Sequence, residues 1–238
     1  MATTTKVTKT IKTKKIVKTV KAVKVATGIT APVYNLRAEK IEDMSLPKNV
    51  FGVKVNDSSI ALAVRAYLAN KRSARATVKE RGDVAGTTKK MYAQKGTGQA
   101  RHSTAKVGIF VGGGSVHGPQ GTQNYTIKLN KKFKQSTLNQ VLSKFAAAQK
   151  VLIVEDFSKL APKTKEAWNF MELLEKNHSD LATSKKIGII VPAGSNHVTR
   201  AFRNIPGFSI FTSSSLNVYQ LSLQNTLIFA KDSILAFK

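Results

Sequence analysis

Residues 151–191 read VLIVEDFSKLAPKTKEAWNFMELLEKNHSDLATSKKIGIIV. The stretch opens on a wholly apolar run, Val151 to Val154, and closes on another, Ile187 to Val191. Runs of Val, Ile and Leu without polar alternation belong to strands buried on both faces, as in parallel sheets. Between them Thr164 is placed to cap a helix on which Ala167, Phe170, Met171 and Leu174 form one apolar stripe. Strand, helix, strand is the repeating unit of an α/β fold, with a mostly parallel central sheet flanked by helices.

The alternation continues on both sides. Downstream, the pattern predicts a short helix from Asn196 to Arg203, a strand at Phe208 to Phe211, and strands near Leu216 to Tyr219 and Leu227 to Ala230. Upstream, a helix beginning after Lys128 places Leu138, Val141, Leu142 and Phe145 on one face. Earlier still, a strand signal at Val33 to Leu36 leads to Val50-Phe51-Gly52-Val53-Lys54-Val55. Asp57 and Ser58 then offer capping oxygens to a helix whose Ile60, Val64, Tyr67 and Leu68 share a core-facing side. It ends in Asn70-Lys71-Arg72, where cations suit the negative end of the helix dipole.

Between Ser73 and about Gly121 periodicity disappears, and ten of the fifteen glycines lie between Gly82 and Gly121. A connection much beyond about 15 residues inside a compact domain is functional or unstructured. Composition favours function: charge alone fits a solvated basic loop as well, and the glycine and polar residues interleaved with the cations tilt the reading to binding. The chain of 238 residues has a formal charge of +26, and the charge comes in blocks. Residues 1–28 hold eight lysines and no acid, and residues 71–106 hold ten Lys or Arg against Glu80 and Asp83, so these two stretches carry +16. A polyanion is the first partner such blocks imply, nucleic acid ahead of an anionic membrane surface. The predicted organisation is a basic low-complexity N-terminal extension (1–30) and one α/β domain (31–238) interrupted by an extended loop (71–121). The extension reads as a phosphate-neutralising arm, ahead of a solubilising tail or an organellar transit peptide, since it lacks arginine.

If residues 71–121 run out and back, each limb reaches up to about 80 Å at ~3.3 Å per residue, against a radius of gyration of about 15 Å for the body. Along it Arg72, Arg75, Lys79, Arg81, Lys89, Lys90, Lys95, Arg101 and Lys106 recur every few residues, as a phosphate track requires. Gly96 and Gly98 let backbone approach RNA closely, Tyr92 and Gln94 offer stacking and hydrogen bonding to bases, and His102 and His117 join the candidate contacts.

Lys89-Lys90-Met91-Tyr92-Ala93-Gln94-Lys95-Gly96-Thr97-Gly98-Gln99-Ala100-Arg101 resembles the signature of the large-subunit ribosomal protein four family. Gly112-Gly113-Gly114-Ser115-Val116-His117-Gly118-Pro119 is similar to that family's glycine-rich returning limb, and Leu129-Asn130-Lys131-Lys132 to its approach to the next helix. Phe51-Gly52-Val53-Lys54-Val55-Asn56 is similar too, so the likeness runs from about Val33 to the C-terminus. It implies a structural constituent of the large ribosomal subunit, with partners in large-subunit rRNA, neighbouring ribosomal proteins and the nascent polypeptide. The arm would reach the constriction of the nascent-peptide exit tunnel, its tip formed by Ala93, Gln94, Lys95, Gly96, Thr97, Gly98 and Gln99. The site would be the cytoplasmic ribosome or an organellar one. This sequence has Met91 and Tyr92 in place of the family's usual proline and tryptophan, Ala93 and Gln99 in place of two tip arginines, and Phe110 where a tryptophan is frequent.

Catalytic chemistry is not legible. Gly96-Thr97-Gly98 is followed by Ala100 and Arg101 where a dinucleotide fingerprint needs its third glycine. No cysteine occurs, His102, His117, His178 and His197 lack metal-ligand spacing, and adjacent Glu155 and Asp156 point to opposite faces at a strand end. Trp168 reads as a core or protein-contact residue. No cofactor, metal, small-molecule substrate or membrane span is expected, the apolar runs being far short of the ~20 residues a span needs. A regulator binding RNA or DNA off the ribosome through the same loop is the second reading, and a nucleic-acid enzyme the third.

Overall fold

The computed structural model describes residues 28–178, 186–235 and 237; the predicted N-terminal extension lies almost wholly outside them. The strands are β1 (Thr30–Tyr34), β2 (Lys40–Ser45), β3 (Val151–Val154), β4 (Ile187–Val191), β5 (Phe208–Thr212) and β6 (Thr226–Ala230). The helices are α1 (Lys48–Phe51), α2 (Asp57–Lys71), α3 (Lys131–Ala147), α4 (Thr164–Asn177), α5 (Asn196–Phe202), α6 (Val218–Ser222) and α7 (Lys231–Leu235). One sheet has the order β2-β1-β3-β6-β4-β5, parallel throughout except for the antiparallel β1–β2 edge.

Alternate residues of each central strand serve opposite faces, which is why the strands read as continuously apolar. Leu152, Val154, Ile189, Val191 and Ile228 pack with Phe170, Met171 and Leu174 of α4 and with Val198 and Phe202 of α5. Val151, Ile153, Ile190, Leu227 and Phe229 pack on the other side with Phe51, Val141, Leu142 and Leu221. Helix α2 covers α3 and α6 instead of the sheet, so the residues it buries are the small Ala63 and Ala66.

Several expected details differ. Leu68 is exposed, because the face of α2 that meets other helices is centred on Ala63 and Ala66. The cap of α2 is Asn56, whose side-chain oxygen accepts from the Ser58 N–H at 3.1 Å; Asp57 and Ser58 already lie in the first turn. Thr164 is likewise the first helical residue, leaving Lys163, which has no acceptor, at the cap. Leu216 to Tyr219 is not a strand. The turn at Ser213–Ser215 directs the chain across the sheet face, where α6 forms and Leu216, Val218 and Leu221 cover the core. Trp168 is 54% exposed, outside the α4 stripe.

Strand β2 carries no apolar pattern. It is held by a turn in which the Asn35 side chain accepts from Arg37 and Glu39 N–H groups while Ala38 adopts φ 62°. Its Lys40, Glu42 and Asp43 guard a sheet edge that would otherwise offer unpaired backbone. At the carboxyl ends of β3 and β6, Lys231 Nζ lies 2.7 Å from Glu155 and 3.2 Å from Glu42. Those hydrogen bonds raise the Lys231 pKa. Because the shift is upward from an ordinary lysine, the tie is complete at neutral pH and lost only as strongly alkaline pH passes the raised value.

Leu174, fully buried in the α4 face of the core, is expected to cost about 2–5 kcal/mol on change to alanine. Exposed Leu68→Ala should stay within about 0.5 kcal/mol of the parent. Urea unfolding of the two variants checks the contrast.

Candidate nucleic-acid interface

The loop begins where α2 stops. Arg72 leaves the helix in extended conformation, and its guanidinium lies 4.1 Å from the Tyr125 ring centroid on the returning limb. In the last turn of α2, Asn70 clamps the return: its oxygen accepts from Ile127 N at 2.7 Å and its amide donates to Ile127 O at 3.2 Å. The chain then passes Leu129 and Asn130 into α3. The root of the loop is thus fixed to the body by both ends.

Beyond the root the limbs lie against each other without forming strands. Thr77 and Gln120 make an isolated antiparallel bridge. Val78 N donates to Pro119 O at 3.0 Å, and Ser115 N to Lys79 O at 2.9 Å. Gly114 must be glycine here, since a Cβ would meet the Arg81 nitrogen at 2.4 Å and the Glu80 carbonyl carbon at 2.6 Å. Both acids of this region are committed locally. Glu80 accepts from the Gln120 amide at 2.9 Å, and Asp83 accepts from the Glu80 N–H at 3.2 Å.

Further out, Met91 N donates to Ser103 O at 2.9 Å, and the chain reverses between them. Left-handed Gly96 (φ 82°) and Gly98 (φ 65°) make that reversal possible. Lys90 Nζ donates to the Gln94 side chain at 2.6 Å and to His102 O at 3.3 Å, Arg101 Nε donates to Gln94 O at 3.2 Å, and the Tyr92 hydroxyl donates to Ala100 O. His102 stands edge-on to Phe110 with ring centroids 4.9 Å apart, and to Tyr92 at 6.4 Å. The expected base-contacting Tyr92, Gln94 and His102 therefore also serve as internal supports of the tip.

Arg75, Lys79, Arg81, Lys89, Lys95, Thr97, Arg101 and His117 are exposed, while Lys106 is half-buried with its methylenes alongside Gly86. Among the described residues every ion pair lies on the body and none involves a Lys or Arg of the loop. The candidates are spread along both limbs and the tip, a track and not a pocket. Sequence reading missed the side loop at Val107–Gly113, closed by Phe110 N to Val107 O and Gly113 N to Phe110 O. It carries exposed Ile109 and Val111; the uncharged run Gly108-Ile109-Phe110-Val111-Gly112 was its only signal.

Residues 44–238, body and loop together, match the model of the ribosomal protein L4/L1 family. The chain belongs to that family. It is 37% identical over 205 residues to the large ribosomal subunit protein uL4 of Azobacteroides pseudotrichonymphae genomovar. CFP2, covering 86% of this chain and 96% of the relative. The corresponding protein of Thermoanaerobacter sp. (strain X514) is 35% identical over 85% of this chain and 94% of its own length. That of Bacteroides fragilis (strain YCH46) is 35% identical over 86% and 95%. Membership makes the chain a structural ribosomal protein and not an enzyme. Among the described residues no group of three or more His, Cys, Asp or Glu is arranged to hold a metal ion, and no helix is long and apolar enough to cross a membrane.

Gly114→Ala is expected to force the two limbs apart while leaving the core untouched. Hydrogen exchange should show faster exchange at Ser115 and Val78, whose donors bridge the limbs, with unchanged protection in β3 and β4; equal exchange at the bridging amides would mean the limbs tolerate the methyl.

Proposed function

We propose that the chain binds large-subunit ribosomal RNA through the loop at 71–121, supports assembly of the large subunit, and lines the nascent-peptide exit tunnel with the tip from Ala93 to Gln99. The observation that carries this reading is the absence of any acidic partner for the loop's cations among the described residues. Cations held in a defined arrangement without counter-charges repel one another, and a polyanion turns that repulsion into binding free energy through counterion release. Its partners are then the rRNA, neighbouring large-subunit proteins and, at the tip, the emerging polypeptide, and its place is the ribosome.

The tip suits a confined passage. Residues 93–101 are exposed, glycine-turned and free of acids, and Lys95 is the one cation between Ala93 and Gln99. The limbs supply most of the charge, so most of the phosphate contact belongs to the limbs, while the tip meets the polypeptide and adds Lys95 to the RNA contacts.

Replacing Lys89, Lys90, Lys95 and Arg101 together by alanine should leave the thermal midpoint of the body unchanged and lower the slope of log affinity against log salt by ~0.7 to 0.9 for each phosphate that is no longer neutralised. An unchanged slope in filter binding to large-subunit rRNA would count against the loop. The tunnel assignment has a separate test. Since the chain has no cysteine, Thr97→Cys gives a unique attachment point, expected to crosslink to a stalled nascent chain; a cysteine at Ser214 on the body should not. Failure of Thr97→Cys in assembled ribosomes would remove the tip from the tunnel.

A further inference from the structure

At the foot of the loop, α2, α3 and the start of α6 enclose a cleft of about 380 Å³. Its wall includes Tyr67 and Tyr219, half-buried and stacked nearly parallel, with ring centroids 4.7 Å apart and 20° between planes. Lys71 Nζ stands 5.1 Å from the Tyr67 centroid and 5.9 Å from that of Tyr219. Lys131 and Lys134 also line the cleft, and Leu138 and Leu216 add apolar surface. The lining contains no acidic residue, and neither lysine has an ion-pair partner among the described residues.

Two further features bear on the occupant. Gln135 and Asn217 border the cleft with side-chain amides that make no hydrogen bond among the described residues. Lys131, Lys132 and Lys134 all fall in the first turn of α3, which has no acid there and no side-chain cap. Cations at that end oppose the helix dipole, so the arrangement does not serve the stability of α3. It fits a site that receives an anion. Aromatic wall, unengaged amides and cationic rim are the three elements by which a protein holds one unpaired nucleotide: a stacking face, edge donors and acceptors, and phosphate ligands.

We infer that this cleft is a second RNA site, on the body, which takes a single nucleotide extruded from a double-stranded stem, the base against the Tyr67–Tyr219 pair and its phosphates on Lys131 and Lys134. The inference rests on the RNA-binding reading of the loop, with which the cleft is continuous: Asn70 and Ile127, the clamp at the loop root, are also part of its wall. A stem that meets the limbs would thereby be fixed in register by one unpaired residue. The limbs alone, contacting phosphates, carry no such information.

The test uses the full chain and two hairpin RNAs identical except for one unpaired nucleotide bulged from the stem. The wild type is expected to bind the bulged hairpin at least about ten-fold more tightly, the usual effect of one base stacked on an aromatic side chain. Both Tyr219→Leu and the Lys131→Ala/Lys134→Ala double variant should lose that preference while still binding both hairpins with a steep salt dependence. The lysine variant keeps the test sound if Tyr219→Leu does not fold. Those lysines are exposed, and its thermal midpoint should be no lower than that of the wild type. The loop variant lacking Lys89, Lys90, Lys95 and Arg101 should show the reverse pattern, weaker binding of both hairpins with the preference intact. Equal wild-type affinity for the two hairpins overturns the cleft assignment, leaves the loop reading standing, and hands the cleft to a protein side chain. Retention of the preference by the lysine variant overturns it as well, and failure of the wild type to bind either RNA overturns both readings.

Discussion

A parallel sheet must be covered on both faces, and here that requirement governs where the chain places its large apolar side chains. The central strands β3, β6 and β4 are fully buried, and the covering helices take Phe170, Met171 and Leu174 on one face and Val141, Leu142 and Leu221 on the other. Little of comparable size remains for residues 72–128. That region has only small internal contacts such as His102 against Phe110, so hydrophobic burial contributes little to its order. Hydrogen bonds between limbs and a clamp at Asn70 do there what a core does elsewhere, and in the proposed complex RNA would add to them.

The same division explains how charge is distributed. On the body, Lys231 joins Glu42 and Glu155, Lys144 meets Asp57, and Lys176 meets Glu172. Pairs exposed to this degree add at most about 1 kcal/mol each, so their importance is chiefly that these body lysines already have partners. Among the described residues the loop's cations have no ion-pair partner. In the complex proposed above, RNA would therefore meet a body partly neutralised by its own acids and a loop whose cations far outnumber Glu80 and Asp83, which would orient the encounter before any close contact forms.

What could be read from the sequence follows from where the determinants sit. The strands at 151–154 and 187–191 and the α4 stripe were legible because they face the core on both sides or at a fixed helical period, leaving an unbroken hydrophobic record. Strand β2 was not, because an edge strand reading Lys40-Ile41-Glu42-Asp43-Met44-Ser45 is exposed along most of its length and leaves no such record, being fixed by the Asn35 turn. The segment 216–219 has the composition of a strand, and only the position of the preceding serine turn puts it on the sheet face as a helix. At the candidate site the basic ladder was visible residue by residue. The Tyr67–Tyr219 stack was not, since its members lie far apart in sequence and each looks like an ordinary core aromatic.

The internal bonds of the tip bear on what its cations have left to offer. Lys90 uses its ammonium on the Gln94 side chain and the His102 carbonyl, yet an ammonium has three donors, so a phosphate can still be met. Arg101 bonds the Gln94 carbonyl through Nε alone, leaving the terminal nitrogens of the guanidinium for bidentate contact. Tyr92 differs, because its one hydroxyl proton is committed to the Ala100 carbonyl. That bond closes the tip from within. These bonds hold the shape of the tip from within while leaving donors of Lys90 and Arg101 unused, so in the proposed RNA complex part of the ordering cost would be met within the loop itself.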